Sequence, residues 1–404
     1  MKHHTLDQLR RYAVSRSLFS PATLPRALER LGFVQADPIR APARAQDLML
    51  RHRVKDYRAG DLERRYPRLA IEEDFFINYG FVPRATHELM HPRTPRTMWP
   101  RAKWAQAHAV LAFVRERGTV HPRAVDAHFD HGKTRNWFGG SSNASTQLLD
   151  GMHYRGLLRV AGREGGVRTY AARPAWDGSP SSGILMAPSP NAAPAQGTGR
   201  VDTVEPDAAM DRLVDVIIGL YAPLPERSLA ELVSHLRAAA PQWTQRRPAA
   251  LARAKARLPS AEISGTRWYW PAGENPASRR HAAPEEVRLL APFDPVVWDR
   301  RRFEMFWGWA YRFEAYTPAP KRVRGYYALP LLWRDQVIGW GNLSARDGRL
   351  LVDLGYQSGE PPRERAFRAA LDDELERMRA FLGAGLIWAV SNNGACDGTR
   401  VVVT

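Results

Sequence analysis

Three short stretches of this sequence carry residue types that can do chemistry. Gln35-Ala36-Asp37 places an amide and a carboxylate at the end of a short apolar run, just before a basic segment. A carboxylate there can take a proton from water or face a growing positive charge, and an amide can orient that water by hydrogen bonding. The same aspartate also fits a helix N-cap, with Pro38 as the first helical residue, which requires no function. His87-Glu88-Leu89-Met90-His91 matches HExxH, a spacing that puts two imidazoles on one helical face with a glutamate base between them. Pro92, Pro95 and Pro100 end any such helix at once and no third ligand follows at the usual spacing, so no metal is expected. Gly132-Lys133-Thr134 ends like a phosphate-binding loop, but the first glycine of that motif falls at Ala127 and no strand precedes it. Trp298, Phe303, Phe306, Trp307, Trp309, Tyr311 and Phe313 surround Arg300, Arg301 and Arg302; such aromatics can stack on bases, but at this spacing they are expected to fill a core.

The chain around these residues is long enough for several cores. Its 404 residues are 44% hydrophobic and 25% charged, the balance of a globular protein. Lys and Arg number 59 against 42 Asp and Glu, and the net charge of +17 favours polyanionic partners, nucleic acid above all. No apolar run reaches the roughly 20 residues of a membrane helix, and the first residues lack the apolar centre of a signal peptide. A cytoplasmic, nucleoid-associated protein is expected, with no membrane partner. The single Cys396 excludes an internal disulfide and CxxC chemistry.

The elements that must hold the candidate residues follow a rhythm of helices and a short hairpin, three times over. The first unit, 1–100, has helical patterns at Leu6, Leu9 and Val14 and at Leu24 to Leu31, stopped by Gly32. Helices over Ala41 to Leu50 and Asp61 to Arg65 and a strand over Phe75 to Phe81 follow. The second, 101–173, has helices over Lys103 to Arg117, Pro122 to Phe129 and Ala144 to Tyr154, then a wing of Leu157 to Val160 and Val167 to Tyr170. A Pro-, Gly-, Ser- and Ala-rich stretch, 174–206, reads as a linker or insertion. The third unit, 207–275, has helices at Met210 to Ile218, Leu229 to Leu236 and Arg246 to Leu258, with a wing over Ala261 to Trp270. From 284 to 404 the pattern turns to strands and a closing helix, Arg363 to Leu382, with an apolar stripe. The expected class is α+β: three tandem winged helices and a C-terminal β-barrel-like domain.

Val34-Gln35-Ala36-Asp37-Pro38-Ile39, Ala43-Arg44-Ala45, Leu48 to Arg53, Pro292 to Arg300, Tyr311 to Arg322 and Gly325 to Pro330 together resemble the YcaQ branch of the AlkZ and YcaQ DNA glycosylases. The similarity runs from about Leu6 to the last residues and thins between Pro174 and Pro206. It implies the winged-helix and barrel architecture, excision of N7-alkylated purines and unhooking of interstrand crosslinks. It also implies Gln35 and Asp37 as the catalytic pair, since the family signature is Gln, an apolar residue, then Gln or Asp.

The chemistry agrees with that implication. Glycosidases acting on neutral sugars usually need two carboxylates, one of them to protonate the leaving group. An N7-alkylated guanine is already cationic and departs without a general acid, so one carboxylate suffices. Arg40, Arg44, Arg51 and Arg53 are candidates for phosphate contacts near the lesion, and Lys321 and Arg322 for a clamp from the barrel. No cofactor is expected, because hydrolysis at an activated bond needs neither metal nor redox chemistry. A monomer acting on alkylated or crosslinked double-stranded DNA is the expected form. Two stretches depart from the family: Phe76-Ile77-Asn78-Tyr79-Gly80 replaces a Trp-Ala-His-Glu-Ala type stretch, leaving Asn78 as an auxiliary candidate, and Asn136 to Asn143 is particular to a subgroup. The rival reading is a non-enzymatic winged-helix regulator in which Asp37 only caps its helix.

Overall fold

The computed structural model describes residues 4–95, 97–129, 132–135, 141–173, 205–346, 348–383 and 387–392. Almost all of the expected linker, the stretch from Asn136 to Gly140, and Cys396 lie outside them.

The chain opens with helices α1 (Leu6–Ser17) and α2 (Leu24–Leu31), strand β1 (Val34–Gln35), and helices α3 (Ala45–Leu50) and α4 (Asp61–Arg65). Strands β2 (Ile71–Phe75) and β3 (Tyr79–Pro83) and a short helix α5 (Arg84–Glu88) follow. Next come α6 (Arg101–Arg117), β4 (Thr119–Val120), α7 (Pro122–Phe129), β5 (Lys133–Arg135), β6 (Ser141–Asn143), α8 (Ala144–Tyr154), β7 (Leu158–Glu164) and β8 (Val167–Ala172). A third series holds α9 (Pro206–Tyr221), β9 (Leu224–Pro225), α10 (Glu226–Ala239), α11 (Arg247–Arg257), β10 (Ser260–Ile263) and β11 (Thr266–Tyr269). The last contains β12 (Val287–Leu289), α12 (Arg300–Trp307), β13 (Leu329–Trp333), β14 (Gln336–Arg346), β15 (Arg349–Tyr356), α13 (Arg365–Leu382) and β16 (Ile387–Asn392).

Local chemistry explains the punctuation. Thr5 and Gln8 form a reciprocal capping box on α1, and Gly32, at φ 70°, closes α2 in the left-handed conformation that an L side chain resists. The β7–β8 hairpin turns on Gly165 and Gly166, both at positive φ, as a two-residue turn matched to strand twist requires. Two small antiparallel sheets share one order, with the last strand in the centre: β4-β8-β7 and β10-β11-β9.

These elements form two compact units that interleave in sequence: Met1–Leu62, Asp215–Leu232 and Ala254–Thr404 in one, and Glu63–Val214 with Val233–Arg253 in the other. The third helical segment thus contributes to both. The first unit is centred on a core of Val14, Leu290, Val296, Val297, Phe303, Trp309, Tyr311, Leu332 and Val337. The aromatic segment is therefore core, as its spacing implied. Its helix α12 is capped by Asp299, which accepts from the backbone N–H groups of Arg301 and Arg302. In the second unit α6 buries Ala107, Val110, Leu111 and Val114, and the Tyr66 hydroxyl donates to the Val160 carbonyl oxygen of β7.

Three expectations need correction. Among the described residues the C-terminal sheet does not close into a barrel: its order is β12-β13-β14-β15-β16, β16 joins β15 in parallel, and the two edges stay apart. Helix α13 covers it instead, with Phe367 set edge-on to Trp333 at 5.6 Å. The strand expected over Phe75 to Phe81 is a hairpin, because Phe76 to Asn78 form the turn between β2 and β3. The helix expected from Ala41 begins only at Ala45, and residues 36–44 are irregular.

Candidate active site

That late start changes the reading of Asp37. It caps no helix; Arg44 occupies the N-cap position of α3. The Asp37 Oδ1 atom instead accepts from the Ile39 backbone N–H at 2.9 Å, a local turn that fixes the carboxylate within its own loop. From α3, the buried Gln46 reaches back so that its Oε1 accepts from the Asp37 backbone N–H at 3.3 Å. Gln35, on β1, is buried as well, and its Oε1 accepts from the indole N–H of Trp298 at 2.9 Å. With its oxygen engaged, the free function of Gln35 is amide donation. The structure therefore holds both expected residues rigidly in one unit.

Asp37 is only 8% exposed, and burial pushes its carboxyl above the usual carboxylate range, partly countered by the Ile39 N–H. Among the described residues, no lysine and no second carboxylate is hydrogen-bonded or ion-paired to it. One oxygen is tied, and the other has no partner among the described residues. Such a group can accept a proton from water or lie against a positive centre. Gln46 and Trp298, which hold the pair, were not among the sequence candidates. Trp298 lies in the Pro292 to Arg300 stretch that carries the resemblance, but an aromatic in an apolar run gives no sign that its N–H serves a distant amide.

The basic candidates divide. Arg40 and Lys321 are exposed, and Arg44 and Arg322 are partly so. The Arg322 Nε–H donates to the Thr317 carbonyl at 2.8 Å and its guanidinium lies 5.0 Å from the Tyr326 ring centroid. Arg51 and Arg53 are corrected to structural roles. The Arg53 side chain is 0% exposed and grips both oxygens of Asp294 at 2.7 and 2.9 Å, and Arg51 is paired with the buried Glu374, so neither presents a face to phosphate. Asn78 is exposed in the other unit, at the tip of the β2–β3 hairpin, where its Oδ1 accepts from the Tyr79 backbone N–H.

The HExxH stretch did gain a third group that spacing alone does not reveal. Asp74, His87 and His91 each place a ligand atom within 4.8 Å of the others, with Asp74 supplied by β2. The donor pattern fits hydrogen bonds better than a metal. Asp74 Oδ2 lies 2.8 Å from His87 Nε2 and 3.0 Å from His91 Nε2, while Arg93 donates to Oδ1 at 2.7 Å. Arg173 donates to His87 Nδ1 at 3.2 Å, which fixes the ring proton on Nε2, where a metal would need a lone pair. Glu88, the base of the motif, is exposed. Burial pushes both imidazoles down, His91 furthest. For Asp74 burial works upward, but Arg93 and the two histidines outweigh it and hold the carboxyl well below its ordinary range.

A buried, lightly tied carboxylate beside an amide, on a strongly basic chain, suits a hydrolase that acts on a nucleic acid and supports a cationic centre. The sequence matches the AlkZ-like family, described as DNA glycosylase AlkZ-like, over residues 28–381, and the chain belongs to that family. Among solved structures it is similar to Streptomyces sahachiroi DNA glycosylase AlkZ, with 15% identity and a TM-score of 0.56 over 96% of this chain and 99% of that one. At that identity the likeness concerns the fold. The protein is a DNA glycosylase and DNA is its substrate. No helix among the described residues is long and apolar enough to cross a membrane.

Proposed function

We propose that this DNA glycosylase is monofunctional and hydrolyses the N-glycosidic bond of N7-alkylated purines, including those that form interstrand crosslinks, leaving an abasic site. The observation that carries the reading is how sparsely Asp37 is engaged: among the described residues its carboxylate accepts from the Ile39 N–H, and no second carboxylate that could protonate a leaving base and no lysine that could form a Schiff base is hydrogen-bonded or ion-paired to it. A cationic adduct needs neither. Asp37 takes the proton of the attacking water as positive charge grows on the deoxyribose, and the Gln35 amide orients the water. Arg40, Arg44, Lys321 and Arg322 serve the phosphates, and the recurring helix, strand, helix, helix and hairpin order is read as winged helices that dock on the duplex. The protein works as a monomer.

The test is base release from duplex DNA carrying one N7-alkylguanine, and unhooking of one nitrogen-mustard crosslink, by wild type, Asp37→Asn and Gln35→Ala. Wild type is expected to act on both. Asp37→Asn should lose about 10²- to 10⁴-fold, the range for removal of a general base, with DNA affinity retained. Gln35→Ala should lose less. A wild-type protein that binds DNA but releases no base from either duplex refutes this substrate assignment.

A further inference from the structure

Three of the seven large apolar side chains exposed among the described residues fall in one loop of the first unit, between α12 and β13: Tyr316 at 80%, Val323 at 73% and Tyr326 at 45%. Scattered exposed apolar residues need no explanation, but a cluster of them marks a surface of contact. The loop is also fixed. Gly325 has φ 118°, and a Cβ there would collide with the Asn342 side chain, so only glycine fits. Asn342 donates to the Arg324 carbonyl at 2.7 Å, the Lys321 N–H donates to the Pro318 carbonyl at 2.9 Å, and the Arg322 Nε–H donates to that of Thr317 at 2.8 Å. Tyr316 is propped edge-on against Phe313, centroids 6.0 Å apart, and Phe313 stands edge-on to the buried Tyr327 at 5.2 Å. A packed base thus holds the Tyr316 ring out into solvent, an exposure that folding gives no reason for.

The same loop sorts its charges. Its one carboxylate, Glu314, is 7% exposed and turned inward, where it accepts from the backbone N–H groups of Val323 and Arg324 at 3.1 and 2.8 Å. Arg324 also turns in, its guanidinium 5.0 Å from the Trp309 ring centroid and 5.4 Å from that of Trp340. On the outside stand Arg312 and Lys321, both exposed, and Arg322, half-buried with its guanidinium 5.0 Å from the Tyr326 centroid. None of these three forms an ion pair among the described residues. The surface therefore offers apolar rings and free cations with no negative charge between them. A partner that meets both needs closely spaced anions and flat apolar faces, and DNA has phosphates and bases.

We propose that this loop is a DNA wedge: Tyr316 enters a base step of the bound duplex and stacks on a base, while Arg312, Lys321 and the Tyr326-backed Arg322 hold the flanking phosphates. The phosphate role of Lys321 and Arg322 rests on the function proposed above, and the stacking of Tyr316 is independent of which base is excised. An intact duplex hides its base faces, so insertion costs unstacking, and least where pairing is already broken. The ring therefore contributes more to binding at a defective step than at a paired one.

The experiment measures equilibrium binding of wild type, Tyr316→Ala, Tyr316→Phe and Lys321→Ala to a fully paired duplex and to the same duplex with one mismatch, over a range of salt, with thermal melting and sedimentation of each protein. All four should melt alike, because both side chains are exposed. Tyr316→Ala should lose about 5- to 100-fold on the mismatched duplex and less on the paired one, with the slope of log K against log salt unchanged because no charge is removed. Tyr316→Phe keeps the ring and should bind within about twofold of wild type. Lys321→Ala should reduce the salt slope by about one and keep the preference for the mismatch. Wild-type affinity in Tyr316→Ala, or equal losses on the two duplexes, overturns the wedge. Self-association of wild type that Tyr316→Ala abolishes also overturns it and assigns the loop to a second copy of the chain. Wild type that releases no N7-methylguanine, alongside the expected losses of affinity, refutes the substrate assignment and leaves the wedge standing.

Discussion

Asp37 and Asp74 are both buried carboxylates beside the sequence's two most suggestive motifs, and the fold treats them in opposite ways. Asp74 is saturated: Arg93, His87, His91 and the Phe75 backbone N–H all approach its oxygens, and its carboxyl is held low. Asp37 has one backbone N–H, and its carboxyl is pushed up. The motif richer in chemical residue types is the one whose carboxylate is consumed by its neighbours, and the plainer one leaves its carboxylate lightly engaged. Degree of satisfaction, more than residue type, separates a structural cluster from a reactive site. The largest expected effect follows from this. Asp74→Ala leaves the guanidinium of Arg93, itself 0% exposed, without its counter-charge, and should cost about 3–5 kcal/mol in denaturant unfolding. Asp37→Ala should leave unfolding nearly unchanged. An Asp74→Ala protein as stable as wild type would erase the distinction.

A smaller effect sharpens it through pH. Asp37 has a folded pKa above its unfolded value, so its ionised form opposes folding at neutral pH, and that cost is relieved as pH falls through the folded pKa. Asp74 is the reverse: its depressed folded pKa contributes stability above the ordinary carboxylate range, which is lost as pH falls through the depressed value. Asp37→Asn should therefore melt slightly above wild type at pH 7, with the gap closing toward pH 4. A gap that widens on acidification would mean Asp37 is stabilised by partners, as Asp74 is.

The candidate residues were more legible than the arrangement that holds them. Gln35 and Asp37 stood out through the family resemblance, because spacing alone fitted a helix cap at Asp37, and the helices α7 and α8 and the β7–β8 hairpin follow from local periodicity and turn glycines. Whether Asp37 was a cap depended on where α3 begins; Pro42 argues against a helix that runs on from Pro38, but nothing in Pro38 to Arg44 fixes the start at Ala45. Trp298 meets the motif only through a contact far along the chain, which no local spacing encodes. The buried role of Arg53 is likewise set by Asp294, a partner more than two hundred positions away.

The smallest expected effect tests the metal question. If the Asp74 cluster held zinc, both Nε2 atoms would have to lose their protons or offer lone pairs to the ion. At His87 that moves the proton to Nδ1, where the Arg173 guanidinium already donates at 3.2 Å, setting donor against donor. The ion would also sit beside Arg93, a fixed positive charge on the same carboxylate. Dialysis against a chelator should therefore leave melting temperature and base release unchanged, and purified protein should carry well under one equivalent of zinc. One equivalent of zinc, lost together with stability on chelation, would mean that Arg173 swings away from His87 and that the cluster is a metal centre after all. Arg173→Ala offers the intermediate case: removing the donor frees Nδ1 to carry the proton, so any latent affinity for zinc at His87 and His91 should rise in that variant above wild type.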